Sequence, residues 1–171
     1  MIKDQVKEQP IIFNTEMIRA ILDGRKTQTR QVLQPQPELE EYVYYWKGMF
    51  FNPLSAKDLV RKECPYGNIG NRLWVKKTWG YKRVSSLFRP RQTSRMTLEI
   101  IDIRVERLQE ITEEDAIAEG IWGKGEPYQG IGDLPSDRFR DLWDSLNAKR
   151  GYSWDINPWV WVIEFKRIEK T

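Results

Sequence analysis

The sequence predicts an α+β chain: a small mixed or antiparallel β-barrel with short flanking helices. Strand-like segments outnumber helical ones and do not alternate regularly with them, which argues against a doubly wound parallel sheet. The clearest strand pattern, "MTLEIIDIRVERL", changes phase midway. Met96, Leu98 and Ile100 share one face, then Ile101, Ile103 and Val105 take over. Such a slip marks a bulge or sharp bend, and bent strands favour closure into a small barrel.

The elements follow in order. "PIIFN" reads as a first strand. Asn14 or Thr15 can cap the helix after it, because a side-chain oxygen there accepts an orphan N–H. Met17, Ile18, Ile21 and Leu22 form its apolar stripe, and Gly24 ends it in the left-handed conformation. "KTQTRQVL" resumes as strand, helped by β-branched Thr27, Thr29 and Val32. Alternation sends Lys26, Gln28 and Arg30 to one side, and Thr27, Thr29 and Gln31 to the other. "PQPELE" reads as a polar linker. "EYVYYWKGMFF" reads as a hairpin turning near Lys47–Gly48. A Gly/Asn turn feeds a strand at Arg72 to Lys77, ahead of the long strand. "ITEEDAIAEG" is a short helix capped by Thr112, with acids in its first turn and Gly120 at its end. "GKGEPYQGIGDLP" is a Gly/Pro-rich loop. Ser136 opens a helix with Phe139, Leu142, Trp143 and Leu146 at i, i+3, i+4 and i+7. The last strand, "WVWVIEFKRI", puts Trp159, Trp161, Ile163 and Phe165 on one face.

The chain's 171 residues suit a single domain over 1–171. Its apolar fraction of 40% beside 31% charge describes a globular chain able to bury a core, not a disordered one. No run approaches membrane-spanning length, and no secretory signal stands at the start, so no membrane partner is expected. The single cysteine, Cys64, can form no intrachain disulfide. It is expected to be inert and fits a reducing cytosol. The chain has no histidine. That removes histidine-dependent triads and histidine metal sites, and no carboxylate loop shows Mg²⁺ or Ca²⁺ spacing. No metal and no cofactor are expected. An enzyme here must work with Lys, Thr, Ser, Tyr, Asp or Glu. The oligomeric state is left open.

The net charge of +3 is mild, but it is unevenly spread. From Cys64 to Leu98 there is no Asp or Glu, while Arg72, Lys76, Lys77, Lys82, Arg83, Arg89, Arg91 and Arg95 stand among Tyr66, Trp74, Trp79, Tyr81 and Phe88. Cations attract phosphates and aromatic faces stack on bases, so this stretch points to nucleic acid or nucleotide. A solvated basic face over core aromatics is the plainer alternative. Trp159 and Trp161 read as core, whereas Trp79, at a strand end beside Gly80, is placed to stack on a base.

A short helix followed by Gly-x-Lys-x-x-[Glu/Thr]-x-Arg resembles the mark of the ASCH domain, a relative of the PUA domain. Here it reads Gly24, Lys26, Thr29. The resemblance extends through "GNRLWVKKTW", "SRMTLEIIDIRVERL", "ITEEDAIAEGI" and "WVWVIEFKRI", with loop insertions near 34–56 and 123–135. The longer form is similar to ASCH proteins carried by bacteriophages and prophages. The resemblance implies a PUA-like β-barrel, RNA or modified nucleosides and nucleotides as ligands, and the cytoplasm of a bacterial host as location. One branch, the small bacterial ASCH amidohydrolases, removes the acyl group from N4-acetylcytidine. Carried over residue by residue, its catalytic lysine, threonine and glutamate fall on Lys26, Thr29 and Glu119. The motif's final arginine falls on Gln31, and the nearest cation, Arg30, comes one position early. Lys77 stands where related phage sequences imply an acid.

Amide hydrolysis needs a nucleophile, a base to activate it and an acid for the leaving amine. Lys26 as base, Thr29 as activated hydroxyl or polar orienter, and Glu119 as proton donor would supply these. A lysine acts as a base once its pKa falls from about 10.4 towards 7 or 8. Arg25 and Arg30 would favour that by like-charge repulsion, whereas an ionised Glu119 would oppose it. Read singly, Lys26 is an exposed lysine of little structural consequence, Thr29 a strand filler and Glu119 a helix-end acid. Arg25, Arg30, Lys76, Lys77, Trp79, Arg89, Arg91 and Arg95 are the expected substrate or nucleic-acid contacts. The Gly-rich 123–135 loop is expected to close over the site. Two other functions compete: a non-catalytic RNA-binding PUA-like module, and a phage accessory protein that binds a host protein through Tyr42, Tyr44, Tyr45 and Trp46.

Overall fold

The computed structural model describes residues 6–41, 43–51, 63–77, 96–121 and 134–168. Two long strands form its spine, β7 (Thr97–Arg107) and β8 (Trp159–Ile168), with β-numbers counted along the chain. They pair antiparallel, with Val105 opposite Trp161, Ile103 opposite Ile163 and Ile100 opposite Phe165. Directly paired residues share a face, so these six make one apolar wall. The register shifts between Ile100 and Asp102. The expected phase slip is therefore real, but Ile101 is its extra residue and is 44% exposed rather than part of the buried face.

β6 (Arg72–Lys77) pairs antiparallel with β7, and β1 (Glu8–Phe13) pairs parallel with β6. At the other side β2 (Gln28–Val32) pairs antiparallel with β8. The order β1-β6-β7-β8-β2 is an open mixed sheet with β1 and β2 at its edges. The α+β class stands, but the expected barrel does not close. Closure requires its edge strands to hydrogen-bond to each other. Just before β2, Lys26 instead forms a bridge with Glu119, so the backbone there is occupied by another part of the chain.

β3 (Glu38–Glu40), β4 (Val43–Trp46) and β5 (Met49–Phe51) form a separate three-stranded sheet. The expected polar linker thus contributes a strand, because Glu38–Glu40 pairs with Val43–Tyr45. Lys47 (φ 48°) and Gly48 (φ 83°) make the two-residue turn, whose positive φ angles match strand twist. This sheet lies on the apolar wall: Tyr44 meets Trp159 edge-on at 5.5 Å between ring centres, and Trp46 meets Trp161 at 6.4 Å. Trp46 is buried and its indole N–H donates to the Pro35 carbonyl at 2.7 Å, while Tyr44 is half-buried against the same core; Tyr42 lies outside the described residues.

Helix α1 (Thr15–Leu22) is capped by Asn14, whose side chain accepts from the Met17 N–H at 2.8 Å. Ala20 and Ile21 are buried, but Leu22 is 52% exposed at the last turn. The opposite face of the sheet is covered by α2 (Glu113–Ala118) and α3 (Pro135–Asn147). Leu108, Ala116, Phe139, Trp143, Val160 and Val162 form the second core there. Helix α3 starts at Pro135, and the Ser136 hydroxyl donates to Glu113 rather than capping its own helix. Asn147 is buried in the last turn, while Leu146 is 46% exposed.

Candidate functional site

Gly24 (φ 74°) turns the chain out of α1. The Arg25 and Lys26 N–H groups both donate to the Ala20 carbonyl, Thr27 N–H donates to Ala118, and the Thr27 carbonyl accepts from Phe165. The segment before β2 is thus tied to α1, to the end of α2 and to β8. Glu119 caps the C-terminus of α2 and Gly120 follows at φ 84°. A methyl group on Gly120 would stand 2.8 Å from Lys26 Cβ and 3.0 Å from Ala20 Cβ. A close backbone approach therefore seats Glu119 against Lys26.

Lys26 is buried, at 2% exposure, which corrects its expected surface position. A swing of the strand start turns its side chain inward. Its Nζ donates to the Gln28 carbonyl at 2.7 Å, to the Glu119 carbonyl at 3.1 Å and to Glu119 Oε2 at 2.9 Å. All three ammonium protons have acceptors. Glu119 is 6% exposed. A carboxylate at a helix C-terminus is unfavourable; here it is offset by Lys26 on one oxygen and by Arg30, at 3.2 Å, on the other.

The Arg30 guanidinium is fully enclosed. It reaches Asp115 at 2.9 Å and Glu106 at 3.3 Å besides Glu119, and lies 5.9 Å from the centre of the Phe139 ring. Arg104 extends the network to Glu106 at 2.6 Å, Asp115 at 2.8 Å, Gln28 at 3.2 Å and Glu164. Burial raises the Asp115 carboxyl, but Arg30 and Arg104 outweigh it and hold the carboxyl below its ordinary value. Sequence reasoning missed Arg104, Glu106, Glu164 and Gln28. Arg104 and Glu106 alternate with Ile103 and Val105, a pattern that reads as a solvated strand face; only the helices laid across that face half-bury them.

Thr29 and Gln31 point to the other side of the sheet, paired with Ile163 and Trp161. Thr29 is 3% exposed, and its hydroxyl accepts weakly from Gln31 Nε2 at 3.4 Å. Gln31 Oε1 accepts from the Tyr66 hydroxyl at 3.2 Å. Among the described residues no hydrogen bond joins Thr29 to Lys26 or Glu119.

Arg25 pairs with Asp23 at 3.1 Å and donates to the Gly120 carbonyl at 3.0 Å, at the rim of the Lys26–Glu119 pair. Lys76 lies over Trp74, 4.7 Å from its ring centre, and Lys77 ends β6 opposite Phe13. Trp79, Arg89, Arg91, Arg95 and the 123–133 part of the expected lid lie outside the described residues. Cys64 is buried, and burial pushes its thiol up to about 11 against the weaker opposing effect of the Tyr66 and Gly67 backbone.

A groove of about 350 Å³ opens beside this site, walled by Gly24, Lys26, Thr27 and Phe165, with Lys166 and Arg167 at its edge. Among the described residues no group of three or more potential metal ligands is placed to hold an ion, and no helix is long and apolar enough to cross a membrane.

These features define an open-sheet α+β protein whose helix-covered face buries a lysine–glutamate–arginine cluster. No protein-family model matches the chain, and no curated protein matches it. Among solved structures it is similar to the ASCH domain from Lactobacillus crispatus JV V101, with 15% identity, a TM-score of 0.48, and coverage of 94% of this chain and 79% of that one. It is also similar to the hypothetical protein PH0355, with 13% identity, a TM-score of 0.47, and coverage of 94% and 99%.

Proposed function

We propose that the chain is an ASCH-type protein acting on RNA or modified nucleotides, and that it hydrolyses the N4-acyl group of an acylated cytidine. The observation that carries this reading is the 2.9 Å contact between Lys26 Nζ and Glu119 Oε2, from residues 93 positions apart. Proton transfer across that hydrogen bond converts ammonium and carboxylate into a neutral amine and a carboxylic acid. Those are the base and the acid that amide hydrolysis needs. A water is the nucleophile in this scheme. It adds to the acyl carbon as the Lys26 amine takes its proton; the C–N4 bond then breaks as N4 takes the Glu119 proton. Lysine and glutamate return to their charged forms, and cytidine and the acid are released. Thr29, with no hydrogen bond to Lys26 or Glu119, is not the attacking group in this scheme.

The test is incubation with N4-acetylcytidine and chromatography for cytidine. Wild type is expected to release it, Lys26→Met and Glu119→Gln to lose release, and Thr29→Ser to keep more than Thr29→Ala. Gln31→Arg is expected to tighten substrate binding if that position is a lost anchor. No release by wild type from any N4-acylated cytidine defeats the reading.

A second reading, an RNA-binding module without catalysis, is favoured by the Lys76–Trp74 pair beside exposed Arg72 on β6. The Lys76 cation, seated over the indole near Arg72, suits a phosphate. Binding of short single-stranded RNA would then weaken with salt and with charge reversal at Arg89, Arg91 and Arg95. Absence of binding at low salt would remove it.

A further inference from the structure

We infer that Arg30 is a positioning residue of the Lys26–Glu119 pair, and not a contact for substrate or phosphate. The inference rests on the hydrolase reading for its kinetic consequence, but not for its geometry. The Arg30 side chain has 0% exposure. Its guanidinium cannot meet a ligand without lifting the helices from the sheet. What it meets is protein: Glu119 at 3.2 Å, Asp115 at 2.9 Å and Glu106 at 3.3 Å.

Asp115 and Glu119 are four residues apart at the two ends of α2, so they lie on one face of it. Arg30 therefore holds that short helix through both. The consequence for Glu119 is rotational. A carboxylate held at one oxygen can still swing its second oxygen away. Arg30 occupies Oε1 while Lys26 occupies Oε2, so the oxygen facing Nζ stays there. Arg30 is fixed in turn, because Asp115 and Glu106 also accept from Arg104 on β7. A planar guanidinium with several donors can serve three carboxylates at once, which a lysine ammonium on a flexible stem does poorly.

Steady-state kinetics on N4-acetylcytidine, with a thermal melt for each variant, test this. Arg30→Lys is expected to lower kcat by about 10–100-fold, the usual cost of losing a residue that orients a reacting group, with KM within about twofold. Asp115→Asn, which removes one of the three carboxylates holding Arg30, should shift kcat in the same direction. The double variant should fall no further than Arg30→Lys alone, since both act through one contact. A raised KM at unchanged kcat in the folded variant would make Arg30 a ligand contact and overturn the inference. Unchanged kinetics, or full additivity, would do so too. If Arg30→Lys does not fold, Asp115→Asn carries the kcat test. If wild type shows no turnover, the hydrolase reading fails, and the crystal structure of Arg30→Lys, or of Asp115→Asn, decides this point. Glu119 Oε2 displaced from Lys26 Nζ supports positioning; Oε2 still at hydrogen-bond distance overturns it.

Discussion

Arg30 and Arg104 stand in one row of the sheet, on either side of Val162, and share two carboxylates. Asp115 accepts from Arg30 at 2.9 Å and from Arg104 at 2.8 Å; Glu106 accepts from the same pair at 3.3 and 2.6 Å. Two like charges that would repel are held together by the anions between them. Breaking a buried pair from one side leaves the remaining charge uncompensated, at a cost of about 3–5 kcal/mol. The cluster is thus a sensitive joint between α2 and the sheet.

Its first consequence is acid sensitivity. Burial raises the Asp115 carboxyl, yet Arg30 and Arg104 bring its folded value below the ordinary 3.8. A depressed folded value stabilises the protein above the unfolded value, and that stability is lost as pH falls through the folded one. Urea midpoints should decline as pH drops below about 4. Asp115→Asn should start lower at pH 7 and decline less steeply in acid. An acid limb parallel to wild type would count against the pairing.

Gly120→Ala should be destabilising by about 1–3 kcal/mol. Glycine takes φ 84° without strain, and an added methyl would press on Lys26 Cβ at 2.8 Å. The same variant should lose activity on N4-acetylcytidine, because the clash lies at the Lys26 stem. Denaturant titration beside a kinetic assay reads both. Gly24→Ala, where nothing lies within 4 Å, should pay the backbone cost alone and serves as the control.

Lys26→Ala should cost stability as well as turnover. An exposed lysine would be removed with little effect. This one is 2% exposed and donates three hydrogen bonds. Its loss strands Glu119 Oε2, so a destabilisation of about 3 kcal/mol is expected, limited by Arg30 on the other oxygen. Lys26→Met, which refills the volume, should recover some stability but no turnover. A melting temperature for Lys26→Ala equal to wild type would contradict the burial.

Cys64 should resist alkylation. With its thiol pushed to about 11 by burial, only about 0.1% is thiolate at pH 8, and the thiolate is the nucleophile. Iodoacetamide labelling at pH 8 should be at least about 100-fold slower in the native protein than in urea. Labelling at equal rates in both would show the thiol to be open.

Much of the fold was legible because it depends on neighbours in sequence. Thr112 and Asp115 cap α2 reciprocally, as their spacing implies. Arg72–Lys77 and the Trp159, Trp161, Ile163, Phe165 face follow from alternation alone. Lys26 and Glu119 could be nominated as partners only through resemblance, since no local pattern links residues 93 positions apart.

By itself the sequence determined the α+β class, the strand periodicities, the helix caps and the absence of histidine. These rest on side-chain period and backbone preference, which act over a few residues. Only the tertiary structure decided that the sheet stays open, that Lys26 turns inward to Glu119, and that Arg30 is enclosed. A polar strand face is solvated or buried according to what is laid across it. Here α2 and α3 half-cover an ordinary charged alternation and fully enclose Arg30 at its centre, and charge loses its water only when distant parts of the chain close over it.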